Sequence, residues 1–329
     1  MWSSITSPEV NMLEASILIV VGLILLTFSA DKFVDAAVDL SICLRIPTLV
    51  VGLVVVGFAT SAPELIVSIT AAFSGHPSLS IGNALGSNIA NIGLVLGMTS
   101  IIVPLYLSQA TFEIEFRLML VALVIFTLVV SDLSIARIDG IILGLSLLII
   151  LFLMIKFSSQ NSLEIEGSLD GGSPGLGKSS FWLLIGFAIM LLGSDILVRG
   201  SISLAKLFGA SDLFIGLTIV AVGTSLPELA ASIAAALKKK ADIVIGNIIG
   251  SNTFNALAVT AMPALVEPFT VEVIALSRDV AIMWLLTIIL IVILFIGKNK
   301  LTICKFGGCI LLACFCFYQF FLFQMQNIT

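Results

Sequence analysis

The chain has 329 residues, of which 59% are hydrophobic and only 11% charged, with a formal net charge of −5. A soluble domain carries about 25% charged residues, so this composition excludes an ordinary soluble fold and points to a polytopic helical membrane protein. Apart from Lys238, Lys239 and Lys240 there is no basic run, so no nucleic-acid surface is expected and the lipid bilayer is the evident partner. Protein partners leave no signal. Five cysteines without CxxC spacing and a single histidine, His76, argue against zinc and against a disulfide framework.

Apolar runs long enough to cross a bilayer recur along the whole chain. They fall at about 13–37, 46–73, 79–103, 116–131 and 137–156, then at 180–205, 212–237, 243–265, 279–297 and 301–323. The first run has no Lys or Arg ahead of it and reads as a retained span. Between the fifth and sixth lies "SSQNSLEIEGSLDGGSPGLGK", a Ser/Gly-rich linker. The expected division is therefore a first five-helix repeat over 1–157, a cytoplasmic linker over 158–179, and a second repeat over 180–329.

The two halves repeat each other. A shift of 164 brings Thr60 onto Thr224, Pro63 onto Pro227, Glu64 onto Glu228, Ser87 onto Ser251 and Asn91 onto Asn255, with 16 identities in the 32 ungapped positions of 60–91. The same shift pairs Gly22 with Gly186, Asp31 with Asp195 and Gly52 with Gly216. Five spans is an odd number, so the second repeat must enter the membrane from the opposite side. With the N-terminus outside, ten Lys and Arg residues near span ends fall on the cytoplasmic side and three on the outer side, which favours both termini outside. The expected fold class is an all-α polytopic membrane protein of about ten helices in two inverted repeats, with broken helices at the centre.

Within the repeated segments the polar residues concentrate. Pro63 and Pro227 cannot donate to the carbonyls of Ala59 and Gly223, so kinked or broken helices with freed oxygens are expected near mid-membrane. Thr60, Ser61 and Glu64 share one turn, as do Thr224, Ser225 and Glu228. In "GNALGSNIAN" and "GNIIGSNTFN", Ser87 with Asn91 and Ser251 with Asn255 lie one turn apart, while Gly82 with Gly86 and Gly246 with Gly250 permit close helix contact. This inventory is all hard oxygen and suits Ca²⁺, Na⁺ or Mg²⁺. A single proline is often only a kink, and a single buried Glu is sometimes only a protonated donor. Packing, however, does not require the joint duplication of Thr, Ser, Pro, Glu, Ser and Asn. Asn83, Asn88, Asn247 and Asn252 are expected to support the ligands. Asp31 and Asp195 are expected to pair with Lys32 or Arg199 or to anchor at an interface. Glu113, Glu115, Glu267, Glu272 and Asp279 lie beside span ends and are expected to be solvated.

"ATSAPELIVS…GNALGSNIAN" and "GTSLPELAAS…GNIIGSNTFN" resemble the two alpha-repeats of the sodium/calcium exchanger family, within the calcium/cation antiporter superfamily. The short linker resembles that of prokaryotic members. The resemblance implies an integral protein of the prokaryotic cytoplasmic (inner) membrane that exchanges Na⁺ for Ca²⁺ electrogenically, with no prosthetic group. It implies ligands at Thr60, Ser61, Glu64, Ser87, Thr224, Ser225, Glu228 and Ser251, backbone oxygens at Gly57 and Ala221, and central polar positions at Asn91 and Asn255. The potassium-dependent branch has Asp where this chain has Asn255, which argues for potassium independence. Ala59 and Ala62 depart from the usual motif, beside the ligands and not among them. Exchange of H⁺ for Ca²⁺ or another divalent cation is the alternative, and a passive cation channel a more distant one. An intramembrane hydrolase is disfavoured, because no histidine stands near the serines and no HExxH motif occurs.

Overall fold

The computed structural model describes residues 11–75, 77–161, 175–208, 221–296 and 301–326. The linker residues 162–174, the first part of the expected seventh span with Gly216, and His76 lie outside the described residues. The first repeat comprises α1 (Met12–Leu44), α2 (Thr48–Phe73), α3 (Leu79–Ile102), α4 (109–130) and α5 (Arg137–Asn161). The second comprises α6 (Leu176–Leu207), α7 (Ala221–Thr224), α8 (Leu226–Leu237), α9 (Ala241–Val266), α10 (Ala275–Ile296) and α11 (Lys305–Gln326). Among the described residues eight helices are long and apolar enough to span a membrane, and α8 is a shorter apolar one. Helix α4 carries Glu113, Glu115 and Arg117 in its first turns.

Local chemistry sets several boundaries. Asn11 caps α1 by accepting the Glu14 amide at 2.9 Å, while the Glu14 carboxylate accepts the Asn11 amide at 3.2 Å, a reciprocal capping box. Arg45, in the left-handed region at φ 55°, ends the helix.

The inversion is visible in one helix pair. Gly22 packs on Leu197, Leu26 on Gly193, Phe33 on Gly186 and Leu18 on Gly200. As residue numbers rise along α1 they fall along α6, so the first helices of the two repeats run antiparallel. Glycines make this contact possible: a Cβ on Gly193 would lie 2.7 Å from the Leu26 amide nitrogen. Without water to drive association, such close backbone packing is what holds membrane helices together.

Two short strand pairs clip one repeat to the other. β1 (Leu105–Tyr106) pairs antiparallel with β4 (Thr302–Ile303), and β2 (Ser134–Ile135) pairs with β3 (Phe269–Thr270). The shift of 164 carries β1 onto β3, so the two clips are equivalent. The β1–β4 clip lies toward the face where α5 ends and α6 begins, here called the linker face.

Polarity runs inside out compared with a soluble protein. In α9, 94% of the most apolar 18-residue window is buried, against 22% in α1 and α5. Leu13, Ile17, Ile24 and Phe28 of α1 and Leu145, Leu148 and Phe152 of α5 are exposed, as a lipid-facing surface requires. The polar sequence "GNIIGSNTFN" lies in α9, buried throughout.

Three sequence expectations are corrected here. Pro63 does not break its helix: α2 passes through it from Thr48 to Phe73, with a π-helical turn at Val51–Val56 ahead of it. Glu115 and Asp279 are buried, at 2% and 7% exposure, because α4 and α10 begin with equivalent π-helical turns that rotate them inward. Asp31 pairs not with Lys32 but with Lys238, at 2.7 Å, and Lys238 also binds Asp35. Partial burial alone would lower the Lys238 pKa, but the hydrogen bonds to Asp31 and Asp35 outweigh it and hold the pKa above the usual lysine value. Asp195 does pair with Arg199, at 2.7 Å.

Gly250 of α9 meets α2 so closely that an added Cβ would lie 2.2 Å from the Leu53 carbonyl oxygen. Gly250→Ala is therefore expected to destabilise the protein by about 1–3 kcal/mol, read as a lowered thermal midpoint in detergent.

Candidate cation site

The two repeated segments meet where α2 and α3 of the first repeat face α7, α8 and α9 of the second. Gly52 and Gly57 of α2 rest on Gly246 and Gly250 of α9, where a Cβ on Gly57 would stand 3.0 Å from the Ser251 amide nitrogen. This backbone approach brings two polar clusters together that lie 164 residues apart in the chain.

Thr60, Ser61, Glu64, Ser87, Asn91, Ser225, Glu228, Ser251 and Asn255 are all buried, each exposed by 4% or less. Thr60 donates to Asn247 Oδ1 at 3.0 Å and lies 3.2 Å from the Ser251 hydroxyl. Ser251 in turn donates to the Gly57 carbonyl at 3.2 Å. Ser87 donates to Glu64 Oε1 at 3.4 Å. Thr224 closes the short helix α7. Ala221 lies in the same helix, which fixes the position of its backbone carbonyl relative to Thr224.

Several of these polar atoms have no hydrogen-bond partner: Ser61 Oγ, Glu64 Oε2, Ser225 Oγ, both carboxylate oxygens of Glu228, Asn91 Oδ1 and both amide atoms of Asn255. Glu64 and Glu228 lie close enough to repel each other, and neither forms an ion pair with Lys or Arg among the described residues. Two unpaired carboxylates this deep cost several kcal/mol each in an apolar medium. A positive charge between them removes that cost. The surrounding donors, all oxygen apart from amide nitrogens, match a hard cation.

The asparagines expected to support the ligands do so through partners that the sequence reading did not name. Asn83 Nδ2 donates to the Glu64 carbonyl and to Ser68 Oγ, both at 2.9 Å. Asn247 Nδ2 donates to the Glu228 carbonyl at 3.4 Å and to Ser232 Oγ at 3.0 Å. Asn88 contacts the Met283 sulfur and Asn252 the Met119 sulfur. Each member of these pairs obeys the same shift of 164, so the signal for Ser68 with Ser232 and Met119 with Met283 was present. What the shift alone does not tell is that Ser68 reaches its own repeat while Met119 reaches across to the other.

The symmetry is incomplete. Asn91 donates to Asn252 at 3.2 Å, whereas Asn255 and Asn88 Oδ1, the equivalent pair, stay unpartnered. A π-helical turn starts at Asn91 but none at Asn255. Helix α2 is continuous through Ser61, whereas the second repeat breaks at Ser225, between α7 and α8.

A buried oxygen cage at the junction of two inverted, partly discontinuous repeats defines a class: a secondary transporter for a cation. The comparisons with known proteins narrow it. The model of the family described as sodium/calcium exchanger protein matches residues 15–156 and 178–324, and the chain belongs to that family. It is 40% identical to the putative antiporter CaxA of Alkalimonas amylolytica over 95% of this chain and 100% of the relative. It is 39% identical to the inner membrane protein YrbG of Escherichia coli over 84% of this chain and 88% of the relative. A solved structure of the sodium-calcium exchanger NCX_Mj, soaked with 10 mM Na⁺ and zero Ca²⁺, superposes with a TM-score of 0.77 at 31% identity, covering 93% of this chain and 98% of that one. The chain is thus an integral membrane cation antiporter, of a transporter family and not a catalytic one.

Asn247 accepts from Thr60 across the repeat junction and donates within its own repeat, so Asn247→Ala leaves several buried groups unpaired. A loss of about 1–3 kcal/mol is expected, larger than for the partly exposed Asn83→Ala, with thermal denaturation of the two variants as the measurement.

Proposed function

We propose that the protein exchanges Na⁺ for Ca²⁺ by alternating access, with Glu64 and Glu228 holding either cargo. The observation that carries this reading is the pair of buried carboxylates with unpartnered oxygens and no basic partner among the described residues. Two negative charges balance one Ca²⁺. The same charges shared among Na⁺ ions make the two cargoes mutually exclusive, and that exclusion couples their opposite movements. The hydroxyls of Thr60, Ser61, Ser87, Thr224, Ser225 and Ser251 and the carbonyls of Gly57 and Ala221 complete the shells, with Asn91 and Asn255 between them.

Exchange of three Na⁺ for one Ca²⁺ moves one net charge per cycle, so transport is electrogenic. Asn255 offers an amide, and so adds no third carboxylate for a potassium ion. The repeats divide at 1–157 and 180–329 around a cytoplasmic linker, with both termini outside. The Lys and Arg bias supports that orientation, and likeness to an inner membrane protein supports a cytoplasmic-membrane location.

The test uses the full chain in proteoliposomes. An outward Na⁺ gradient is expected to drive Ca²⁺ uptake, to respond to membrane potential and to ignore K⁺. Uptake driven by a pH gradient and not by Na⁺ would replace Na⁺ with H⁺ as the coupled ion, because buried carboxylates also carry protons. Flux indifferent to every counter-gradient would make the protein a channel. Glu64→Gln and Glu228→Gln are each expected to slow exchange by at least roughly 100-fold, since loss of one buried charge partner costs about 3–5 kcal/mol. Intact exchange in both variants would move the site elsewhere.

A further inference from the structure

A second carboxylate environment lies on the linker face, away from Glu64 and Glu228. Here a cavity of about 440 Å³ opens between the ends of α1, α2, α4, α5 and α9. Glu115, Thr111, Ser108, Ser158 and Asp242 line it. Glu115 is only 2% exposed, yet its Oε2 has no hydrogen-bond partner. Ser158 hydrogen-bonds the same carboxyl group, and Asp242 lies near enough to act on it electrostatically. Ser108 and Thr111 form the cap of α4, their hydroxyls 2.8 Å apart, so both present oxygen to the cavity.

The internal repeat shows what this position requires. The shift of 164 places Glu115 on Asp279, and each sits in the π-helical turn that begins its helix. Asp279 is fully satisfied: Arg278 donates to it at 2.6 and 3.0 Å, and the Tyr318 hydroxyl at 2.8 Å. At the position equivalent to Arg278 the first repeat has Ile114, which has no charge to offer. The second repeat therefore carries its own cation at this point and the first does not. Lys239 and Lys240 border the cavity but are solvent-exposed, and neither forms an ion pair with Glu115 among the described residues.

We propose that Glu115, Asp242 and the hydroxyls of Thr111, Ser108 and Ser158 form a second cation site on the linker face, separate from the central one. The donors are all oxygen, two of them carboxylates, in a cavity with room for bound water. That set suits a hard divalent cation of the calcium class, which takes six to eight oxygens in flexible geometry and readily includes water. The bound ion would do for Glu115 what Arg278 does for Asp279.

The test is equilibrium dialysis of the purified full chain against radioactive Ca²⁺, with Glu64→Gln/Glu228→Gln as the background. One saturable site is expected to remain in that background, and Glu115→Gln added to it is expected to abolish the site. Asp242 is exposed, so Asp242→Asn tests the same site without disturbing the core, and a loss of affinity of roughly tenfold is expected for one fewer charged ligand. No saturable Ca²⁺ in the background, or unchanged binding in both added variants, would overturn the proposal and leave Glu115 as a protonated carboxyl. Failure of the central reading looks different: the Glu64/Glu228 background would then bind as many ions as the unaltered chain.

Discussion

Two carboxylates buried in the interior of a membrane protein, without a basic partner among the described residues, set the terms for everything around them. An unpaired charge at that depth is tolerated only inside a polar cage that lipid cannot reach. Lipid must therefore be excluded from the polar faces of α2 and α3 and from α9, in line with the near-complete burial of α9 and the apolar outer faces of α1 and α5. The cage must also be narrow, and Gly52, Gly57, Gly246 and Gly250 supply that by letting two backbones touch. The asparagines do the remaining work: Asn83 and Asn247 bond the backbone carbonyl at each glutamate and not its carboxylate.

The duplicated sequence does not produce two identical halves. Asn83 and Asn247, and the Asn–Met contacts at Met119 and Met283, are the same in both repeats. The Asn91–Asn252 bond, the π-helical turn at Asn91 and the break at Ser225 each occur in one repeat only. Near-equal sequences held in different conformations can exchange those conformations at little net cost. In an inverted pair, that exchange turns an opening on one face into an opening on the other. The linker face is also tied by Lys238 to Asp31 and Asp35. The equivalent of Lys238 in the first repeat is Ser74, which has no charge with which to form such a tie.

Charge placement outside the centre follows the same economy. Arg278 neutralises Asp279 at the start of α10 and the Tyr318 hydroxyl donates to it, whereas Glu115 at the start of α4 is left to a cavity with other oxygens. The first repeat has Ile114 at the position of Arg278 and Met154 at the position of Tyr318, so neither partner of Asp279 recurs beside Glu115.

Much of this protein was legible in its residues. Apolar run lengths determine the spans, because a helix must cover the bilayer thickness. The odd number of spans determines the inversion, and the shift of 164 determines which polar residues correspond. The hard-oxygen inventory and the two glutamates were readable for the same reason: polar groups are too costly in lipid to occur by accident. Tertiary packing alone decided the rest. That α2 runs on through Pro63 is set by the helix against which α2 rests. Whether Glu115 and Asp279 meet water depends on how α4 and α10 rotate into their neighbours, which no local pattern encodes. That Asn247 reaches Thr60, and Lys238 reaches Asp31, is a matter of distance across about two hundred residues of chain. Sequence periodicity specifies which face of a helix is polar, but only the packed neighbours specify which partner that face will meet.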